Sequence, residues 1–130
     1  LTDYVANIRN LLTEAKEEYA KGETTEALSL ATKAYLDNYE FLESSVGAQN
    51  SELNEEVEQM MREELRDMIK NGSSASEVSA HIDEILLKMD EVAVIVPEFG
   101  HMAIVVLVAG ITAIMVFGMK TQKLSLVPKL

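Results

Sequence analysis

Apolar residues recur over the first 96 positions at intervals of three and four, which is the period of an amphipathic α-helix. Turn residues divide this pattern into four stretches, so we predict helices over about 2–21, 24–46 and 51–71, and from 74 onward. The predicted buried stripes are Val5, Ile8, Leu12, Ala15 and Tyr19; Leu28, Ala31, Tyr35, Leu42 and Val46; Leu53, Val57, Met60, Met61, Met68 and Ile69; and Val78, Ile82, Ile85, Met89 and Val92.

The ends of these helices carry recognisable signals. Gly22 and Gly72 follow the first and third stretches, and glycine commonly ends a helix. Ser74 and Glu77 form a capping-box pattern at the start of the fourth stretch. The two short links predict two antiparallel helical hairpins. Strand-like alternation is absent, so the sequence predicts an all-α, up-down four-helix bundle.

A long apolar segment follows the predicted bundle. The 21 residues 99–119 contain no Asp, Glu, Lys or Arg, and a helix of that length spans roughly 30 Å, the thickness of a bilayer core. Lys120 and Lys123 come directly after it, so the positive-inside rule places the C-terminus in the cytoplasm. We therefore predict an extracytoplasmic bundle over 1–96, a transmembrane helix over 97–119 and a basic cytoplasmic tail over 120–130.

One face of the predicted membrane helix is rich in small residues, which would let a second helix approach closely. The face consists of Ala103, Val106, Gly110, Ala113 and Phe117. The expected partners are therefore other transmembrane subunits, together with membrane lipid. Ordinary transmembrane composition, in which Gly and Ala are frequent, is the alternative explanation.

The distribution of charge along the chain limits which classes of partner it can bind. All 22 acidic residues lie within the first 98 positions, which hold only eight of the eleven basic residues. A chain this acidic repels nucleic acid, and no nucleic-acid partner is expected. The chain contains no cysteine, which excludes disulfides and thiolate metal sites. It opens on Leu1, and this predicts the removal of a secretory signal peptide.

Three carboxylates on the predicted second helix form the main candidate site. Asp37, Glu40 and Glu43 are spaced by three, which places them along one ridge of a continuous helix. Oxygen ligands of this kind suit a divalent cation such as iron, calcium or magnesium. The alternative is a solvated group, or one paired with Arg62 or Arg66 of the next helix.

Other candidate ligands are weaker. Glu98 and His101 form a Glu-x-x-His pair, which supplies only two metal ligands. His81 has no Ser/His/Asp arrangement around it in the sequence, and a surface or half-buried structural role is favoured. Seven methionines suggest copper(I), but four of them fall on apolar stripes, where core packing explains them better. No resident cofactor is therefore predicted, and no enzymatic activity.

A possible modification site lies in the predicted second hairpin turn. Asn71-Gly72-Ser73 matches the N-glycosylation sequon, and the predicted topology would place it outside the cell.

The C-terminal third resembles a known tail. Pro97-Glu98-Phe99-Gly100, a hydrophobic helix and Lys120 together resemble the archaeal PEFG-CTERM sorting tail. That resemblance implies a surface or membrane protein of the ammonia-oxidising archaea. In this chain the basic cluster is sparse and is followed by further residues up to Leu130.

The bundle carries a second resemblance. The stretch from Ala34 to Glu43, followed by residues 51–90, is similar to the helical extracytoplasmic domain of the FTR1 iron permease family. That similarity gives weight to Glu40 and Glu43 as paired acids. It implies no permease activity, because this chain has one predicted membrane helix.

These observations favour a non-catalytic, single-pass accessory subunit of an archaeal cell-envelope complex, with ammonia monooxygenase as the favoured host. One alternative is an ectodomain that captures iron or copper for a membrane partner. Another is a passive cell-surface protein.

Overall fold

A computed structural model describes residues 3–96, which form one compact unit. The predicted membrane helix and the basic tail lie outside the described residues. The elements are α1 (Tyr4–Ala20), α2 (Thr24–Leu36), a 3-10 helix (Tyr39–Phe41), α3 (Glu43–Gln49), α4 (Ser51–Glu58), a π-helical segment (Gln59–Glu64), α5 (Leu65–Lys70) and α6 (Ala75–Ile95). The all-α prediction is confirmed for this part of the chain, in which no helix is long and apolar enough to cross a membrane.

The helices pack as a bundle around one apolar core. Helix α1 lies beside α2 and α6, α2 lies beside α5, and α4 lies beside α6. The sequence spacing predicted most of the core, since the whole α6 stripe is buried. In α1 only Tyr19 departs, because its ring is half-buried and its hydroxyl donates a hydrogen bond to the Ser73 carbonyl.

Matching turns end α1 and α5. Gly22 and Gly72 have φ of 87° and 75°, a conformation that glycine adopts without a steric penalty. Beyond each glycine, the next backbone N–H reaches back to close the helix, with Glu23 bonding the Glu18 carbonyl at 2.9 Å and Ser73 that of Met68 at 3.0 Å. The predicted capping box is confirmed at Ser74 and Glu77. The turns therefore lie where the glycines predicted them.

The prediction of one continuous helix over 24–46 is wrong. Helix α2 ends at Leu36, and a 3-10 turn separates it from α3. The cause lies at Asn38, the one buried polar residue among residues 3–96. Its side-chain amide donates to the Lys33 carbonyl at 3.3 Å and accepts from Asn7 at 3.1 Å. A side chain that bonds the preceding turn in this way competes with continuation of the helix.

The third predicted helix is continuous in sequence over 51–70 but changes from α-helical to π-helical winding and back. Its buried residues recur at intervals of four: Leu53, Val57, Met61, Leu65 and Ile69. On an α-helix with 3.6 residues per turn, each step of four drifts about 40° around the axis. The π-helical segment contains wider turns, which take up this drift and keep the stripe facing the core. Leu65 was missed by the prediction, and Met60 and Met68 are only half-buried.

Candidate functional site

The three predicted metal carboxylates lie on different elements. Asp37 follows the end of α2, Glu40 lies in the 3-10 helix and Glu43 opens α3. The predicted single ridge is therefore wrong, because the helix breaks at Asn38. Asp37 and Glu40 are exposed, whereas Glu43 is half-buried and accepts a hydrogen bond from the Tyr35 hydroxyl. Within residues 3–96, no group of three His, Asp or Glu side chains is placed to hold a metal ion.

Two buried tyrosines surround this break. The rings of Tyr35 and Tyr39 lie 6.2 Å apart, and Tyr39 donates a hydrogen bond to Asn54 of α4 at 2.8 Å. Burial raises the pKa of both phenols well above the usual range. The Glu43 carboxylate raises the pKa of Tyr35 further by accepting its proton in a hydrogen bond. Both phenols therefore remain protonated donors at physiological pH and tie α2, α3 and α4 together.

The arginines near this break have other partners. Arg62 pairs with Glu58 at 3.0 Å and with Glu63 at 2.9 Å, and its hydrogen bond to Glu63 raises its pKa. Arg66 donates to the Arg62 carbonyl at 3.5 Å. Both Arg62 contacts are therefore local, to the last residue of α4 and to the neighbouring residue in the π-helical segment. Neither arginine pairs with Asp37, Glu40 or Glu43, and of the alternatives to a metal site, exposure to solvent applies to Asp37 and Glu40.

An acidic groove runs between the α4–π stretch and α6. Its cavity is about 640 Å³, and Lys88 of α6 crosses it to reach Glu56 of α4 at 2.9 Å. Lys88 also lies 3.9 Å from Glu91 of its own helix. The hydrogen bond to Glu56 raises the Lys88 pKa. The groove is lined by Glu52, Glu55, Glu56, Gln59, Met60, Glu64, Glu84, Leu87, Lys88 and Glu91. Sequence reasoning missed this feature, although Glu52, Glu55 and Glu56 are three and four apart on α4, and Glu84 and Glu91 are seven apart on α6.

His81 lies beside this groove on α6. Its imidazole is 14% exposed, with Nε2 3.4 Å from Glu64 and Nδ1 3.9 Å from Glu84. Its Nε2 is buried and has no hydrogen-bond partner in this part of the chain. The half-buried position agrees with the structural role expected for this histidine.

Some of the remaining candidate residues lie within residues 3–96, and the others lie outside them. Asn71 is exposed in the turn after α5, where a sequon is accessible. Met61 and Met89 are fully buried, as core packing requires. Outside the described residues lie the predicted ligands Glu98 and His101 and the predicted membrane-helix face of Ala103, Val106, Gly110, Ala113 and Phe117.

Comparison with known proteins adds no relative. No family model, no curated protein and no solved structure matches this chain.

Proposed function

We propose that the protein is a non-catalytic, single-pass accessory subunit of an archaeal cell-envelope complex. In this proposal the bundle is an up-down four-helix domain outside the membrane, and residues 97–119 supply the anchor. The observation that carries it is the change of composition after α6. There an acidic bundle gives way to 21 residues without charge, and two lysines follow.

The membrane helix supplies the contact with the rest of the complex. Its small residues recur on one face, and close helix approach at such a face drives association within lipid. The resemblance of the tail to PEFG-CTERM sequences favours an archaeal host, with ammonia monooxygenase as the leading complex. The passive surface-protein alternative predicts a chain that has no fixed partner and is cleaved near Gly100.

The test is a size measurement on the full chain extracted from its own host membrane in mild detergent. We expect it to migrate with other membrane subunits in fixed proportion. Gly110→Leu should release it as a free chain, because the larger side chain blocks close helix approach. Val108→Leu, on the opposite face, is the matched control and should leave the complex intact. A wild-type chain that migrates alone would overturn the proposal.

Cation capture by the ectodomain remains the alternative, supported by the similarity to the iron permease domain. It is weakened by the separation of Asp37, Glu40 and Glu43 and by the engagement of Glu43 with Tyr35. Metal content after dialysis against iron(II) or copper distinguishes the two proposals. Iron or copper that is retained by the wild type, and lost from the variant with Glu40→Gln and Glu43→Gln, would favour capture.

A further inference from the structure

Large apolar side chains are exposed at one end of the bundle. Among residues 3–96, the strongly exposed ones are Leu36, Phe41, Leu87 and Val94. Leu87 lies in the acidic groove, midway along α6. The other three lie near the ends of their elements: Leu36 closes α2, Phe41 closes the 3-10 helix and Val94 is in the last turn of α6.

Contacts between elements show that these three belong to the same end. Asn7, near the start of α1, bonds Asn38 just after α2 at 3.1 Å. Arg9 pairs with Asp90 at 2.8 Å, and Val94 lies one turn beyond Asp90 on the same face of α6. Gln49, at the end of α3, bonds the Ile95 carbonyl at 3.2 Å. The start of α1 and the ends of α2, α3 and α6 therefore meet.

The centre of this end is an aromatic stack. The ring of Phe41 lies 5.2 Å from that of Tyr4, with an interplanar angle of 8°. Tyr4 is half-buried, whereas Phe41 is 63% exposed, so the stack continues from the bundle into its surroundings. Its position follows from the break at Asn38, since the 3-10 turn directs Phe41 outward. Tyrosine and other amphipathic rings are typical of the level of lipid headgroups.

The chain leaves the bundle at this same end. Residue 96 follows directly on α6, and the uncharged segment begins at residue 99. The ionisable groups at this end are mainly acidic: Asp3, Asp37 and Glu40 are exposed, and Glu43 is bonded to Tyr35. A bilayer without net charge therefore fits this surface better than an anionic one.

We propose that this end of the bundle, formed by Tyr4, Leu36, Phe41 and Val94, inserts into the headgroup layer of an uncharged or zwitterionic bilayer. The inference rests on the membrane anchor of the proposed function. It adds a fixed orientation of the bundle relative to the bilayer, because the membrane anchor and the aromatic contact together hold this end against the lipid. The opposite end, with Gly22 and Gly72, then points away from the lipid.

Because the chain contains no cysteine, a single introduced cysteine can be labelled specifically to report on this contact. The full chain is reconstituted in phosphatidylcholine vesicles that contain a lipid spin-labelled near its headgroup. A fluorophore is attached at Glu40→Cys, beside Phe41, or at Glu23→Cys, at the opposite end. We expect at least twofold stronger quenching at position 40 than at position 23. Helix α2, which lies between the two labelled positions, has 13 residues, so the second label lies about 20 Å farther from the lipid.

Variants test whether the apolar side chains make the contact. Phe41→Ser combined with Val94→Ser, in the Glu40→Cys chain, should reduce quenching to the level of position 23. Leu87→Ser is the matched control, since this equally exposed side chain lies away from that end, and it should change nothing. Circular dichroism checks that each variant is folded. In vesicles rich in phosphatidylglycerol at low salt, quenching at position 40 should fall.

The outcomes separate this inference from the proposed function. If the chain floats with the vesicles but positions 40 and 23 are quenched equally, the anchor stands and the inference is overturned. Unchanged quenching in the double serine variant overturns it as well. If the fluorophore at position 40 is shielded only when host membrane proteins are added, this surface binds a protein partner instead of lipid, and the inference is overturned. A chain that does not float with vesicles would overturn both proposals.

Discussion

Asn38 shapes the bundle more than any other single polar residue described. It is 5% exposed and lies where an unbroken helix would otherwise continue. Its amide donates to the Lys33 carbonyl, which also accepts from the Asp37 backbone N–H, and it bonds α1 through Asn7. A buried polar group is tolerated when its donor and acceptor are both paired, and removal of that group loses both hydrogen bonds.

Replacing Asn38 by alanine should therefore destabilise the bundle. We expect a loss of about 1–3 kcal/mol in the free energy of unfolding, because two hydrogen bonds are lost, the one to the Lys33 carbonyl and the one from Asn7. Urea denaturation followed by circular dichroism measures it. Asn10→Ala, at an exposed position of α1, is the control and should stay within about 0.5 kcal/mol of the wild type. Equal effects of the two changes would contradict this role for Asn38.

The buried tyrosines make stability depend on pH in the alkaline range. Their pKa is raised in the folded protein from the ordinary value of 10.0, so the folded chain retains protons that the unfolded chain releases. The unfolded state then binds fewer protons, and the free energy of unfolding falls as pH rises above 10. Below pH 10 this contribution is fully present.

The measurement is a series of denaturation curves between pH 8 and pH 11.5. We expect the wild type to lose stability steadily above pH 10, and the variant with Tyr35→Phe and Tyr39→Phe to lose it less steeply. Tyr4→Phe is the control, because that ring is only half-buried, and it should keep the wild-type slope. Parallel slopes for all three chains would rule out the tyrosines as the cause.

Much of the core was predictable at this scale, while the site was not. The residues of α6 follow three-and-four spacing so closely that burial could be read from the sequence. Asn38 could not be interpreted in the same way, because whether an asparagine faces solvent or bonds the preceding turn depends on a partner 31 positions away. The arrangement of Asp37, Glu40 and Glu43 depended on that choice.

At the level of elements, the π-helical segment allows residues spaced by four to stay on the buried face of a continuous helix. The buried residues Leu53, Val57, Met61, Leu65 and Ile69 recur at intervals of four in the sequence. The predicted stripe omitted Leu65 and added Met60 and Met68. A π-turn generally corresponds to one residue more than an α-turn accommodates. The segment should therefore tolerate the loss of one exposed residue.

Deletion of Glu63 tests this. It shortens the interval between Met61 and Leu65 to three residues, so a regular α-helix keeps the stripe on one face. We expect a melting temperature within about 4–8 °C of the wild type, equivalent to about 1 kcal/mol. Deletion of Glu84 in α6 is the control. It turns Ile85 and the residues after it away from the core and should lose more than about 3 kcal/mol. A collapse of both variants would show that the π-turn is indispensable.

For the molecule as a whole, the proposed topology places the two ends of the chain on opposite sides of a membrane. Single cysteines at Ser73 and Ser125 report it directly, since the chain has no others. In intact cells, a membrane-impermeant maleimide should label Ser73→Cys and leave Ser125→Cys unlabelled until the cells are permeabilised. Labelling of both positions in intact cells would contradict a single membrane crossing.

The antiparallel packing of α1 against α6 has a mechanical consequence. Residues 3 and 96 are the first and last residues described, and they lie at the same end of this helix pair. The hydrogen bond from Tyr19 to the Ser73 carbonyl lies at the opposite end. We expect tension applied between these two residues to break the contacts of α1 with α6 in succession, first Arg9–Asp90 and later Lys16–Asp83. The contacts between α1 and α6 would therefore break one after another, and each would bear the applied force in turn. In a shear geometry, by contrast, all of them would bear the force at the same time.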